Sequence, residues 1–170
     1  IISLDTGYIL KYVAKEIYQL NYSTKELNNG YIKNIFSNLT LEKLIDKNLD
    51  KKIYRNTLTK IAKNSKVRDE LNKKILEFSK LFNSFIFTGR DTGSSVFSKE
   101  KEVIKIFLKV NDRIAANRKN KIKSLKMTSS DTVKRNINDK KNIIIDKNAI
   151  IVDNNHNNQY KTFTEILKYI

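Results

Sequence analysis

Four short apolar runs divide this chain, and they constrain its fold more than any other feature. The runs lie at residues 1–4, 85–87, 102–110 and 148–155, and polar or glycine residues end each of them. The segments between them are longer, and several carry apolar residues at intervals of three and four, the spacing of one helix face. Short buried strands alternating with helices predict an α/β fold with a parallel sheet. In such sheets the ligand lies beyond the carboxyl ends of the strands.

Helix positions follow from spacing and capping residues. Ile9, Val13 and Ile17 predict a helix from Tyr8 onward. Ser65 is the expected N-cap of a helix reaching residue 82. Further helices are predicted at 53–64, 112–126 and 129–139. A final helix is predicted from Thr162 to Ile170, where Thr162 and Glu165 have the spacing of a capping box. Residues 21–52 are predicted to form a polar, loosely organised insert.

Composition narrows the class of protein. The 170 residues suffice for one domain with a sizeable core, and we expect residues 1–170 to form it as a monomer. No apolar run approaches the roughly 20 residues of a membrane span. The chain has no cysteine, which excludes disulfides and fits a reducing, cytoplasmic compartment. Because residues 1–4 resemble the middle of a strand and residue 1 is Ile, we expect the chain to be a fragment lacking its N-terminus.

The net charge of +16 has two compatible explanations. The first is genome composition: lysine, asparagine and isoleucine are all abundant and proline is absent, as is typical of proteins encoded by AT-rich genomes. A Lys/Arg excess is also the electrostatic signature of a phosphate ligand. A polynucleotide is a third alternative, but the chain lacks the aromatics interleaved with Lys/Arg that single-strand binders use for stacking. We therefore expect a nucleotide rather than a nucleic acid.

The stretch "FIFTGRDTGSSVF" carries the strongest candidate site. Arg90 and Asp91 follow a predicted buried strand and are flanked by Gly89 and Gly93. Arginine offers a planar fork of donors to a phosphate, aspartate accepts hydrogen bonds from an amino group, and glycine lets the backbone approach a ligand. The alternative is a salt-bridged corner that merely ends the strand. Other candidate cations are Lys11, Arg68, Arg113, Arg118 and Lys119.

Two further features have mainly structural explanations. Arg135 and Asp139 are four residues apart, so they share a face of the predicted helix, as an ordinary surface ion pair also would. His156 is the only histidine, and we expect it to be exposed without a role. The sequence has no zinc-like cluster, and we predict no protein metal site.

The order of motifs resembles bacterial cytidylate kinase, a P-loop nucleoside monophosphate kinase. The resemblance spans nearly the whole chain and rests on six stretches in the family's order: "SLDTGYILK", "TKIAKNSKVRDEL", "GRDTGSSVF", "VIKIFLKV", "KRNINDKKN" and "AIIVDNN". It implies a parallel sheet flanked by helices, with a nucleotide-binding insert at 21–64 and a lid at 112–142. It also implies transfer of the ATP γ-phosphoryl group to CMP or dCMP, with Mg²⁺.

The resemblance also implies residue roles. Lys11 and Arg90 correspond to arginines that bind the CMP phosphate, and Thr6 to a serine near the phosphate or ribose. Arg118 and Lys119 belong to the lid and, with Arg90, to the catalytic set. The residues implied to read the cytosine edge are Thr59, Arg68 and Asp91, and those implied to hold the ribose hydroxyls are Arg135 and Asp139.

The chain also departs from the family pattern. The glycine-rich loop that cradles the ATP phosphates is absent, and we expect it, with the central first strand, to precede residue 1. Within the lid, Ala115, Lys119 and Asn142 stand where the family has arginines. A second hypothesis is therefore a degenerate, non-catalytic nucleotide-binding member of the family.

Overall fold

A computed structural model describes residues 2–21, 27–45, 49, 52–121, 144–156 and 158–170. The chain divides into two compact units, Ile1–Thr92 and Gly93–Ile170. Within the described ranges no helix is both long enough and apolar enough to cross a membrane.

The first unit contains a parallel strand pair flanked by helices, and the strand residues are exposed or half-buried rather than buried as predicted. Strands β1 (Ile2–Asp5) and β2 (Phe85–Thr88) pair with Ile2 opposite Phe85 and Asp5 opposite Thr88. The other elements are α1 (Thr6–Gln19), α2 (Asn29–Ser37), short 3-10 turns at Glu42–Ile45 and Lys52–Tyr54, α3 (Arg55–Ile61) and α4 (Ser65–Ser79). Helix α1 packs against α3, and α2 packs against α4.

The core of this unit comes from the apolar stripes seen in the sequence. Ile9, Val13 and Ile17 are fully buried along one face of α1, which confirms the predicted stripe. Val67 and Ile75 are buried in the same way on α4. Each such side chain contributes about 1.5–3 kcal/mol by leaving water, so these stripes fix both helices against the core.

The second unit repeats the architecture on a smaller scale. Strands β3 (Ile106–Lys109) and β4 (Ile150–Asp153) are parallel, with Ile106 opposite Ile150. The helices are α5 (Thr92–Ser95, beginning at the boundary residue), α6 (Asp112–Lys121) and α7 (Gln159–Leu167). Helix α7 packs on β4, where Val152 is buried.

The predicted parallel α/β pairing is confirmed, but the strands form two sheets. Order β1-β2 makes one sheet and β3-β4 the other. Each strand is hydrogen-bonded to one other strand, so one edge of each lacks a ladder partner among the described residues. Two-stranded sheets depend on packing against neighbouring helices for stability, since isolated strand pairs are marginal in water.

Several predicted boundaries need correction. The third strand begins at Ile106 rather than 102, and the preceding Lys105 forms a buried ion pair with Asp146. The final helix begins at Gln159 rather than Thr162. Asn158 caps it by accepting a hydrogen bond from the Lys161 backbone N–H, which leaves Thr162 in the helix interior.

The insert and the 65–82 helix also differ from prediction. The polar insert contains α2, whose N-terminus is capped by Asn28. The cap of α4 is Asn64, one residue before the predicted Ser65, and the helix ends at Ser79. The helix predicted at 129–139 lies outside the described residues, as does most of the predicted lid.

Candidate functional site

The carboxyl ends of β1 and β2 meet the start of α1 at one corner of the first unit. Asp5 ends β1, and its Oδ1 accepts a hydrogen bond from the Gly7 backbone N–H at 2.8 Å, which caps α1. Thr88, opposite Asp5, ends β2 and leads into Gly89-Arg90-Asp91. The candidate residues therefore lie at the edge of the sheet where parallel α/β folds bind ligands.

Two threonines hold this corner. The Thr6 hydroxyl donates a hydrogen bond to the Thr88 carbonyl oxygen at 3.1 Å. Thr6 and Thr92 are both only 8% exposed. A Cβ added at Gly89 would lie 2.2 Å from Thr92 Oγ1 and 2.4 Å from Thr6 Oγ1, so both hydroxyls occupy the space that a side chain there would need.

Arg68 and Asp91 form an ion pair across this unit. Arg68 lies in the first turn of α4, and its Nη2 donates to Asp91 Oδ2. The two side chains are 44% and 33% exposed, so a ligand can reach both. Arg90 precedes Asp91 and is exposed. The predicted partners Arg68, Arg90 and Asp91 are thus on one corner.

Lys11 and Thr59 occupy helix faces of the same unit. The Lys11 ammonium lies 4.1 Å from the centre of the Tyr8 ring, one turn earlier on α1, within range of a cation–π interaction. Thr59 is exposed on α3, where its hydroxyl donates to the Arg55 carbonyl oxygen at 2.9 Å.

The lid candidates belong to the second unit. Arg118 Nη2, on α6, donates to the His156 carbonyl oxygen at 2.5 Å, which links the helix to the loop after β4. The start of α6 is linked to the same loop, since the Asn111 N–H donates to Asn155 Oδ1 at 2.7 Å. Arg113 is exposed on α6, and Lys119 follows Arg118 on it. Arg135, Asp139 and Asn142 lie outside the described residues.

A buried ion pair stabilises the same unit. The Lys105 ammonium lies 3.0 Å from Asp146 Oδ2 and donates to the Ser98 carbonyl oxygen at 3.3 Å. Both side chains are less than a tenth exposed. Hydrogen bonds from the Asn148 backbone N–H and from Lys105 lower the pKa of Asp146, so its carboxylate stays charged beside the buried ammonium. This pair has a structural explanation and needs no ligand.

The described residues offer no dedicated metal cage. They contain no group of three His, Cys, Asp or Glu side chains placed to hold a metal ion. Mg²⁺ in kinases is commonly held by one or two carboxylates together with substrate phosphates. The described residues therefore identify no protein ligand for Mg²⁺.

The structure is an α/β fold, and it places the candidate Arg90 and Asp91 after the carboxyl end of a parallel strand, where ligands of such folds commonly lie. A sequence model of the cytidylate kinase family matches residues 10–148. The chain therefore belongs to the cytidylate kinase family, whose members are nucleoside monophosphate kinases, and the resemblance seen in the sequence is confirmed at the level of the family. A comparison with curated proteins gave no match.

Sequence reasoning included Thr92 in the candidate stretch but predicted neither its close approach to Gly89 nor the contact of Tyr8 with Lys11. Tyr8 and Lys11 are three apart on a helix, a spacing that brings side chains together, so this contact could have been found. The approach of Thr6 to Gly89 gave no such signal, because the two residues are far apart in the sequence and only the strand pairing brings them together.

Proposed function

We propose that the chain provides the nucleoside monophosphate site of a kinase that transfers the γ-phosphoryl group of ATP to CMP or dCMP. The observation that carries this proposal is the exposed Arg68–Asp91 pair beside Arg90. Cytosine presents an amino donor and ring acceptors along one edge. A carboxylate and a guanidinium complement that edge, and the neighbouring Arg90 supplies a fork of donors for the phosphate.

The proposed chemistry needs positioning and charge neutralisation rather than a covalent intermediate. Arg90 and Lys11 bind the phosphate of CMP, and Thr59, Arg68 and Asp91 hold its base. Bound Mg²⁺ supplies charge neutralisation at the ATP phosphates. The lid residues proposed to act on the transferred group or the ribose are Arg118, Lys119, Arg135 and Asp139.

A second candidate function is nucleotide binding without turnover. The observation that favours it is Ala115, which lies on α6 where the family has an arginine. Fewer cations in the lid leave less charge to stabilise the developing transition state. A phosphoryl-transfer assay separates the two functions, because the binding-only protein retains CMP affinity and forms no CDP.

The acceptor site is tested by the base preference of the full chain. Calorimetric titration with CMP and UMP should show tighter CMP binding for the wild type. We expect Asp91→Ala to lose about 2 kcal/mol of CMP affinity, roughly 30-fold, because the amino group of cytosine and Arg68 both lose their partner. UMP affinity should fall much less.

The matched control is Asp69→Ala, which removes an exposed carboxylate next to Arg68 on the same helix. It should leave the CMP preference intact. An Asp91→Ala protein that still prefers CMP over UMP as strongly as the wild type would show that Asp91 does not read the base.

A further inference from the structure

The Thr6 hydroxyl has a different task from the ligand contact that sequence resemblance implies. We infer that Thr6 is a positioning residue, which together with Thr92 fixes the corner carrying Arg90 and Asp91. The inference rests on the proposed function, because it concerns how the base-reading and phosphate-binding groups are aimed.

Thr6 is tied to the last residue of β2. It is the first residue of α1 and is 8% exposed, so little of it faces a ligand. Its hydroxyl proton is committed to the Thr88 carbonyl oxygen at 3.1 Å, across 82 residues of sequence. This bond joins the start of α1 to the strand end from which the corner departs.

Gly89 is enclosed by the two threonines. Any Cβ at this position would lie 2.4 Å or less from both Thr6 Oγ1 and Thr92 Oγ1. Real Cβ atoms essentially never approach another heavy atom more closely than 3.0 Å. Thr92 is buried and begins α5, directly after Asp91. The corner is therefore held at Thr88 before it and at Thr92 after it, with Arg90 and Asp91 between the two anchors.

This clamp determines where the functional side chains point. Arg90 and Asp91 are on a turn rather than inside a helix or strand, so no regular ladder sets their direction. Asp91 must meet Arg68, which is fixed separately by α4. A misplacement of about 1 Å in such a site can cost up to 100-fold in function, so the anchors matter as much as the groups they aim.

The test compares two substitutions at Thr6 in the full chain. Thr6→Val keeps the branched shape but removes the hydroxyl, whereas Thr6→Ser keeps the hydroxyl. The ratio of CMP to UMP affinity is measured by calorimetry, and folding is checked by circular dichroism melts. We expect Thr6→Val to lose about tenfold of the CMP preference and Thr6→Ser to retain it.

The matched control is Thr164→Val. Its hydroxyl likewise donates to a backbone carbonyl, that of Lys161 at 2.9 Å, but it lies on α7 in the second unit. The preference ratio separates positioning from general destabilisation, because a partly unfolded protein loses CMP and UMP affinity alike. If Thr6→Val does not fold, Thr92→Val is measured against the same criterion.

Each outcome decides the inference. A folded Thr6→Val protein with the wild-type preference overturns it, and so does a Thr6→Ser protein as impaired as Thr6→Val, since the hydroxyl would then not be the active group. A wild type without any preference for CMP rejects the proposed function, and the inference falls with it. A wild type that prefers CMP, with an unaffected Thr6→Val, rejects the inference alone.

Discussion

Gly89 illustrates how a single residue is selected by its neighbours. The sequence suggests that this glycine admits a ligand close to the backbone. In the structure, the space in which a side chain would lie is taken by the hydroxyls of Thr6 and Thr92. Packing within the protein therefore requires glycine at this position, independently of any ligand that binds beside it.

Substitution of Gly89 by alanine should consequently destabilise the first unit. The new Cβ meets two short, buried threonine side chains that have little freedom to move, and such overpacking costs about 1–3 kcal/mol. The control is Gly30→Ala in α2, where an added Cβ meets only Asn28 Oδ1 at 3.5 Å. That change should be neutral or stabilise the helix by up to about 1 kcal/mol.

Urea unfolding followed by circular dichroism measures both variants. Equal midpoints for Gly89→Ala and the wild type would mean that the threonines move aside without cost, and the enclosure of Gly89 would then be irrelevant to stability.

Site residues could be predicted from the sequence where they are contiguous in one motif. They could not be predicted where folding brings distant residues into contact. Gly-Arg-Asp is contiguous, so it could be recognised. The pairing of Arg68 with Asp91 could be expected only through the resemblance, and the structure brings the two together. The position of Thr6 against Gly89 depends on the register of β1 against β2, which no local pattern encodes.

At the scale of elements, α4 shows why helix boundaries are hard to predict from sequence. Asn and Ser are both good N-caps, and residues 64 and 65 offer one of each. The geometry selects Asn64, whose backbone is extended and whose Oδ1 accepts from the Lys66 and Val67 N–H groups at 3.0 and 3.3 Å. A capping-box spacing of Thr162 and Glu165 likewise misplaced the start of α7, which begins at Gln159 and is capped by Asn158.

The cap assignment predicts a clear difference between two neighbouring alanine substitutions. Asn64→Ala should cost about 1 kcal/mol of stability, because two N–H groups of the first turn lose their acceptor. It should also weaken CMP binding, since Arg68 lies in that turn and fraying removes its fixed position beside Asp91. Ser65→Ala should change neither property.

Thermal melting and CMP titration of both proteins test the assignment. A larger loss for Ser65→Ala than for Asn64→Ala would return the cap to Ser65. A loss of stability without any change in CMP affinity for Asn64→Ala would separate the start of α4 from the acceptor site.

At the scale of the whole molecule, the spacing of apolar residues predicted the α/β fold class but not the grouping of the strands into two sheets. Alternating strands and helices, parallel pairing and the buried stripes of α1 and α4 all follow from patterns of residue spacing. The grouping of strands into β1-β2 and β3-β4 does not, because partners such as Ile2 and Phe85 are far apart in sequence. Which strands pair depends on interactions between distant segments, so it cannot be predicted from any one short stretch of sequence.

The division into two units predicts where a nucleotide should act. The described acceptor candidates Arg68, Arg90 and Asp91 all belong to the Ile1–Thr92 unit. A ligand whose free concentration is 100 times its dissociation constant stabilises the state that binds it by about 2.7 kcal/mol. CMP alone should therefore slow amide hydrogen exchange in Ile1–Thr92 by up to about 100-fold where exchange requires the site to open. Apart from the stretch around Arg135 and Asp139, which is proposed to hold the ribose, exchange in Gly93–Ile170 should hardly change, because the described acceptor candidates lie in the other unit. Hydrogen-exchange mass spectrometry with and without CMP measures both units in one experiment, with inorganic phosphate at the same concentration as the control for non-specific charge. Protection confined to Gly93–Ile170, or equal in both units, would contradict a CMP site built on the corner at Arg90 and Asp91.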